Sequence, residues 1–111
     1  PGYVLNSLLI PLLQAGANLY VGGVANPADI DNVWRIATGA PAGPFQIYDT
    51  VGFNVAAHIA RAHGGEDQVK FADILQKGID AGKTGLGDGE GFYTYDSEGR
   101  RLDAVESWNI N

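Results

Sequence analysis

The sequence predicts an all-α, multi-helix domain built around a long buried first helix, with a short glycine-rich loop and an extended segment near the C-terminus. Three observations carry that prediction. Residues 1–20 hold no charged side chain and are apolar around most of a helical wheel. Helix start and stop signals then recur from Asn26 to Gly65. From Gly82 onward glycines alternate with other residues and lead into Phe92-Tyr93-Thr94-Tyr95.

In the first helix Val4, Leu5, Leu8, Leu9, Ile10, Leu12, Leu13, Ala17, Leu19 and Tyr20 form the apolar arc, and Ser7, Gln14 and Asn18 form a narrow polar stripe. An element apolar over so much of its circumference is expected to be buried. Asn6 falls inside the apolar arc, about 20° from Leu13 and about 40° from Ile10. Pro11 removes one backbone hydrogen bond and predicts a kink, and Gly22-Gly23 supply the left-handed residue that ends the helix.

Asn26 is placed to cap a second helix, with Pro27 in its first position, Asp29 following, Ile30, Val33, Trp34 and Ala37 as its apolar face, and Gly39 as its stop. Pro44 starts a third, carrying Phe45, Tyr48 and Val51 inward. Asn54 is read as the cap of a helix from Val55 to about His63, closed by Gly64-Gly65. Asp67 is read as the cap of a last one carrying Val69, Phe71, Ile74, Leu75 and Ile79. Phe92 to Tyr95 reads as extended, because aromatic and β-branched residues flanked by breakers fit that state. The tail beyond it has little pattern except Leu102, Val105 and Trp108.

At 111 residues and 45% apolar composition, residues 1–111 read as a single domain with a core in 1–95 and a tail in 96–111. The formal charge of -6 and the scattered basic residues present no surface for a phosphate backbone, so nucleic acid is not an expected partner. The lack of cysteine removes disulfides and thiolate chemistry and fits an intracellular, cytoplasmic protein. The opening run is long enough to span a bilayer, but no Lys or Arg occurs before Arg35, and Asn6, Gln14 and Asn18 would be costly in lipid; no membrane partner is expected. A chain that opens at Pro1, directly on its main helix, reads as part of something longer.

The glycines at 85, 87, 89 and 91 lack both the strand before and the helix after that a dinucleotide fingerprint needs, and Lys83-Thr84 stand at the wrong end for a phosphate-gripping loop. A connecting loop is the better reading. His58 and His63 are five apart and cannot share a metal from one helix, so no metal site is expected. The pairs Asp29/Asp31 and Glu66/Asp67 stand at helix starts, where the dipole favours carboxylates. Asn6 is the best single candidate for chemistry. It is either a buried amide satisfied by backbone groups or a donor facing a pocket, and the pattern leaves both open.

The motifs, in order, are Pro1-Gly2-Tyr3-Val4-Leu5-Asn6 leading into Leu8-Leu9, then Gly23-Val24-Ala25 and Asp29-Ile30-Asp31. Gly39-Ala40-Pro41-Ala42-Gly43-Pro44-Phe45 follows, with Asp49 and Gly52, and last comes Gly91-Phe92-Tyr93-Thr94-Tyr95. Over residues 1 to about 95 the chain resembles the C-terminal domain of the 3-hydroxyacyl-CoA dehydrogenases, including the bacterial 3-hydroxybutyryl-CoA enzymes.

The resemblance implies a helical domain that follows an NAD-binding Rossmann domain, shapes the acyl-CoA pocket and supplies much of a homodimer interface. The enzyme it implies oxidises (S)-3-hydroxyacyl-CoA to 3-oxoacyl-CoA in fatty-acid or butanoate metabolism. Its catalytic His and Glu and its NAD site belong to the upstream domain, so no cofactor is expected on this chain alone and the chain alone is expected to be inactive. Asn6 matches the family Asn that hydrogen-bonds near the catalytic His and the reacting oxygen, a supporting, substrate-polarising role. Ser7 stands where the family usually has Arg, Gln14 where it has Glu, and Ala42 where it has Met, the last widening any neighbouring cavity. A non-catalytic helical dimerisation module, or a domain of a related sugar-acid dehydrogenase, are the alternatives.

Overall fold

The computed structural model describes Gly2 to Ile110; Pro1 and Asn111, which the expected first helix and tail include, lie outside the described residues. The described residues form five α-helices, α1 (Gly2–Val21), α2 (Pro27–Thr38), α3 (Pro44–Val51), α4 (Phe53–His63) and α5 (Glu66–Asp80), followed by a hairpin of β1 (Tyr93–Tyr95) and β2 (Arg101–Ala104). The expected multi-helix domain is what forms, and Phe92–Tyr95 supplies its extended segment.

Helix α1 is continuous through Pro11. It ends where Gly23 takes a left-handed conformation, with the Gly23 and Val24 amides donating to the Tyr20 and Leu19 carbonyls. Helix α3 then runs back along α1. Pro44 lies so close to Gly16 that an added Cβ there would come within 2.9 Å of it, and the Tyr48 hydroxyl donates to the Leu13 carbonyl at 2.7 Å. Helices α4 and α5 form a tight pair, and α5 packs on α1.

Two helix starts differ from the sequence reading. Helix α4 begins at Phe53 rather than after Asn54, because the Phe53 amide donates to the Thr84 carbonyl in the glycine-rich loop at 2.8 Å, so its first turn needs no side-chain cap. Helix α5 begins at Glu66, ahead of Asp67, with Gly65 at the cap position; both acids lie in its first turn, where they favour the dipole. Asn26 does precede α2, but its side chain makes no cap; its Oδ1 accepts the Ile110 amide at 2.7 Å instead, tying the C-terminal segment to that corner.

Aromatic side chains fill the core. Tyr20, Phe45, Tyr48, Phe53, Phe71 and Phe92 are all buried. Phe45 meets Phe92 edge-on at 4.9 Å between centroids, and Phe71 stacks parallel to Phe92 at 6.2 Å. Trp108 closes this cluster from the tail, against Phe53 and Phe92, its indole N–H donating to the Gly91 carbonyl at 3.0 Å. Strand β2 was not legible in the sequence: it pairs antiparallel with β1, Tyr93 opposite Ala104 and Tyr95 opposite Arg101, and places the Arg101 guanidinium 4.9 Å from the centroid of the Tyr93 ring.

The expected burial of α1 holds only for one face of its second half. Leu13, Gly16, Ala17 and Tyr20 are buried, whereas Tyr3 is 85% exposed and Leu8 71%. The reason is reach: α3 is only eight residues long and ends beside Ile10, so nothing among the described residues covers the first turns of α1. On α2 the apolar face is likewise only partly covered, with Ile30 buried but Val33 69% exposed.

Candidate functional site

Asn6 stands on the exposed part of α1. The reading of it as a buried amide satisfied by backbone groups is therefore overturned. The helix carries it among Tyr3, Val4, Leu5 and Leu8, all exposed. Ser7 turns back on its own helix and donates to the Tyr3 carbonyl at 2.7 Å, and Gln14 and Ala42 are half-buried. His58 and His63 are both exposed.

Two carboxylates that the sequence reading gave to helix starts, or only to a motif, are 1% exposed and organise the interior. Asp31 lies on α2 but caps α3, its Oδ1 accepting the Phe45 amide at 2.8 Å and its Oδ2 accepting the Gln46 amide at 3.0 Å and the Tyr93 hydroxyl at 2.8 Å. Asp49 does the same for the extended segment: Oδ1 accepts the Phe92 amide at 2.8 Å, and Oδ2 accepts the Tyr93 amide at 3.1 Å and the Tyr95 hydroxyl at 2.6 Å. The glycine motifs exist to let the chain approach these groups. A Cβ on Gly43 would lie 2.4 Å from the Asp31 Cα, and one on Gly91 would lie 2.2 Å from the Asp49 Oδ1. Every oxygen of the pair accepts an internal donor and both side chains are enclosed, so they bind the fold together.

Burial raises both carboxyls. Asp49 is pushed up to about 6 from an ordinary value of 3.8, against the pull of Tyr95 and the Phe92 and Tyr93 amides and with a small further push from Asp31. Desolvation likewise raises Asp31, opposed by the Phe45 amide, Tyr93, the Gln46 amide and Arg101. The folded state thus holds the Asp49 proton more tightly than the unfolded chain does. The resulting stabilisation is complete below the unfolded value of 3.8 and is lost as pH rises through about 6. Urea unfolding should give an Asp49 contribution to stability lower by about 2 kcal/mol at neutral pH than near pH 4, with most of the fall between those values. A flat profile there would remove Asp49 as the titrating group.

The glycine-rich loop does not fit a dinucleotide. The Gly85 amide is spent on the Glu90 carbonyl at 2.9 Å, and Asp88 accepts the Thr84 amide at 3.0 Å and its hydroxyl, so a carboxylate occupies the turn where a pyrophosphate would need free N–H donors. The loop instead supports the starts of α4 and β1.

A family model described as 3-hydroxyacyl-CoA dehydrogenase, C-terminal domain, matches residues 2–95. The chain belongs to this family. Its similarity to the probable 3-hydroxybutyryl-CoA dehydrogenase of Deinococcus radiodurans is 34% identity over 98 residues, covering 86% of this chain and 35% of that protein. With human mitochondrial hydroxyacyl-coenzyme A dehydrogenase it shares 34% over 99 residues, covering 86% and 32%. A solved structure described as "Substrate-directed dual catalysis of dicarbonyl compounds by diketoreductase" superposes with a TM-score of 0.79 at 55% identity, covering 83% of this chain and 32% of that one. The chain therefore spans about a third of the length of these relatives.

For a 3-hydroxyacyl-CoA dehydrogenase C-terminal domain, the buried and the exposed motifs now separate. Asp31 with Gly43-Pro44-Phe45, and Asp49 with Gly91-Phe92-Tyr93, interlock α2, α3 and the hairpin. The opening motif with Asn6 lies outside that lock.

Proposed function

We propose that this chain is the C-terminal, substrate-pocket and dimerisation domain of an NAD-dependent (S)-3-hydroxyacyl-CoA dehydrogenase, inactive alone and completed by an upstream Rossmann domain. The observation that carries the reading is the exposed amide of Asn6 on an uncovered apolar half-helix, in a chain of this family that spans about a third of its relatives. The Asn6 side would face the upstream domain, which brings NAD and the proton-transferring His and Glu. There Asn6 donates a hydrogen bond to the substrate's 3-oxygen, orienting it and favouring the charge that gathers on it.

The second uncovered surface is a groove of about 420 Å³ between α1 and α2, lined by Leu12, Leu19, Val24, Val33 and Trp34 among others. Exposed apolar surface of this kind supports assigning it to a second copy in a homodimer. The test mixes acetoacetyl-CoA and NADH either with this chain or with the protein that carries it behind a Rossmann domain, following absorbance, and sizes both by light scattering. Turnover by the two-domain protein only, and a dimer, are expected; turnover by the chain alone would overturn the division of labour.

A second reading is favoured by one comparison. The 55% identity to a diketoreductase exceeds the 34% shared with the acyl-CoA relatives and points to reduction of a free dicarbonyl compound at the same Asn6 site. Running a β-diketone beside acetoacetyl-CoA in that assay decides: a much higher kcat/KM for the diketone selects this reading.

A further inference from the structure

Residues 106–110 are held differently from the helices. After β2 the Val105 amide donates to the Phe92 carbonyl at 2.9 Å, and Glu106–Trp108 then form a single short helical turn. The bonds of that turn, from the Trp108 and Asn109 amides to the Val105 and Glu106 carbonyls, stay within the segment. Glu106, Ser107, Asn109 and Ile110 are exposed, and only the half-buried Trp108 reaches the core. Among the described residues three hydrogen bonds tie the segment to the rest of the fold. The Tyr20 hydroxyl donates to the Trp108 carbonyl, the Trp108 indole to the Gly91 carbonyl and the Ile110 amide to the Asn26 Oδ1. Beside the segment lies a cleft of about 470 Å³, lined by Ser107, Trp108 and Ile110 and by Ile74, Lys77 and Gly78 of α5. Few buried contacts and an exposed backbone mark the parts of a protein that open alone, at a lower free energy than global unfolding.

Asn26 lowers the cost of letting go. It precedes Pro27 with φ -77° and ψ 158°, the extended backbone of a helix cap, yet its side chain makes no cap because Oδ1 accepts the Ile110 amide at 2.7 Å. A capping side chain at this position accepts the amide of the second or third helical residue, here Ala28 or Asp29. Rotation of the Asn26 side chain exchanges the Ile110 amide for one of those two, so the hydrogen bond lost when the segment leaves is replaced. One acceptor thus serves two arrangements of the chain.

We propose that residues 106–110 are a latch, hinged at Val105, that swings off the core while the five helices stay folded, Asn26 passing from the Ile110 amide to the first turn of α2. Closed, Trp108 packs on Phe53 and Phe92 and walls the cleft. Open, the cleft and the edges of those two rings form one accessible surface.

Hydrogen exchange followed by NMR on the whole chain tests the latch. With intrinsic rates divided out, the Trp108 indole N–H should exchange about 100-fold faster than the Phe71 and Leu75 amides of α5, whose side chains are fully buried. Low urea should barely change the indole rate, because local opening exposes little surface. In Trp108→Ala the helices should persist, and the Ala28 or the Asp29 amide should exchange about fivefold more slowly than in the parent as Asn26 caps α2. An indole that exchanges with the rate and urea dependence of Phe71 and Leu75, or a Trp108→Ala chain that does not fold, would make the segment part of the core and overturn the latch. Unchanged exchange at both Ala28 and Asp29 in the folded variant would overturn the passing of Asn26 between partners.

Discussion

Asp49→Ala should destabilise the chain by about 4 to 6 kcal/mol, measured at neutral pH by urea unfolding followed by circular dichroism. The substitution strands the Phe92 and Tyr93 amides and the Tyr95 hydroxyl, all of which converge on that carboxylate. Each buried donor left without an acceptor costs about 1 to 3 kcal/mol, and the three sum to a large share of the roughly 5 to 15 kcal/mol that holds a domain of this size. Asp49→Asn should recover only part of the loss. Its single carbonyl oxygen can serve the Phe92 amide, but its NH2 then faces the Tyr93 N–H, donor against donor. If Asp49→Ala unfolded at nearly the parent urea concentration, the interlock of α3 with the hairpin would carry little energy.

Asn6→Ala should lower kcat by about 100- to 1000-fold in the two-domain protein, the range seen when a single donor to a developing oxyanion is removed. The same substitution should leave the unfolding free energy of this chain within about 0.5 kcal/mol of the parent, because Asn6 is exposed and anchors nothing in the fold. The pair of measurements discriminates: loss of turnover with loss of stability would make Asn6 structural, and unchanged turnover would remove it from the site. The contrast with Asp49 is the point. One polar group is fully enclosed and serves the fold, while the other stands on an uncovered apolar surface.

Much of the helical order was readable in the residues. Pro27, Gly39, Pro44 and the Gly22-Gly23 and Gly64-Gly65 doublets act within a turn of where they stand, so local backbone chemistry marks α2, the start of α3 and the ends of α1 and α4. The starts of α4 and α5 were misplaced because Asn54 and Asp67 look like caps, yet a carbonyl from the distant loop at Thr84 supplies the partner that starts α4. Strand β2 was missed for a related reason: Arg101-Leu102-Asp103-Ala104 has no periodicity of its own and becomes a strand only by pairing with Tyr93–Tyr95.

For the site, the sequence by itself determined that α1 is apolar nearly all round, that Asn6 breaks its pattern, and which family's motifs the chain carries in order. These follow from side-chain identity and the 3.6-residue repeat, which need no neighbours. Only the tertiary structure decided what those facts mean. It uncovered the first half of α1, because α3 is too short to reach it, and so turned Asn6 from a core amide into an outward one. It also turned Asp31 and Asp49 from helix-start and motif residues into buried clamps. Burial and hydrogen-bond partners are properties of what lies across from a residue, and that is set by contacts between segments dozens of residues apart.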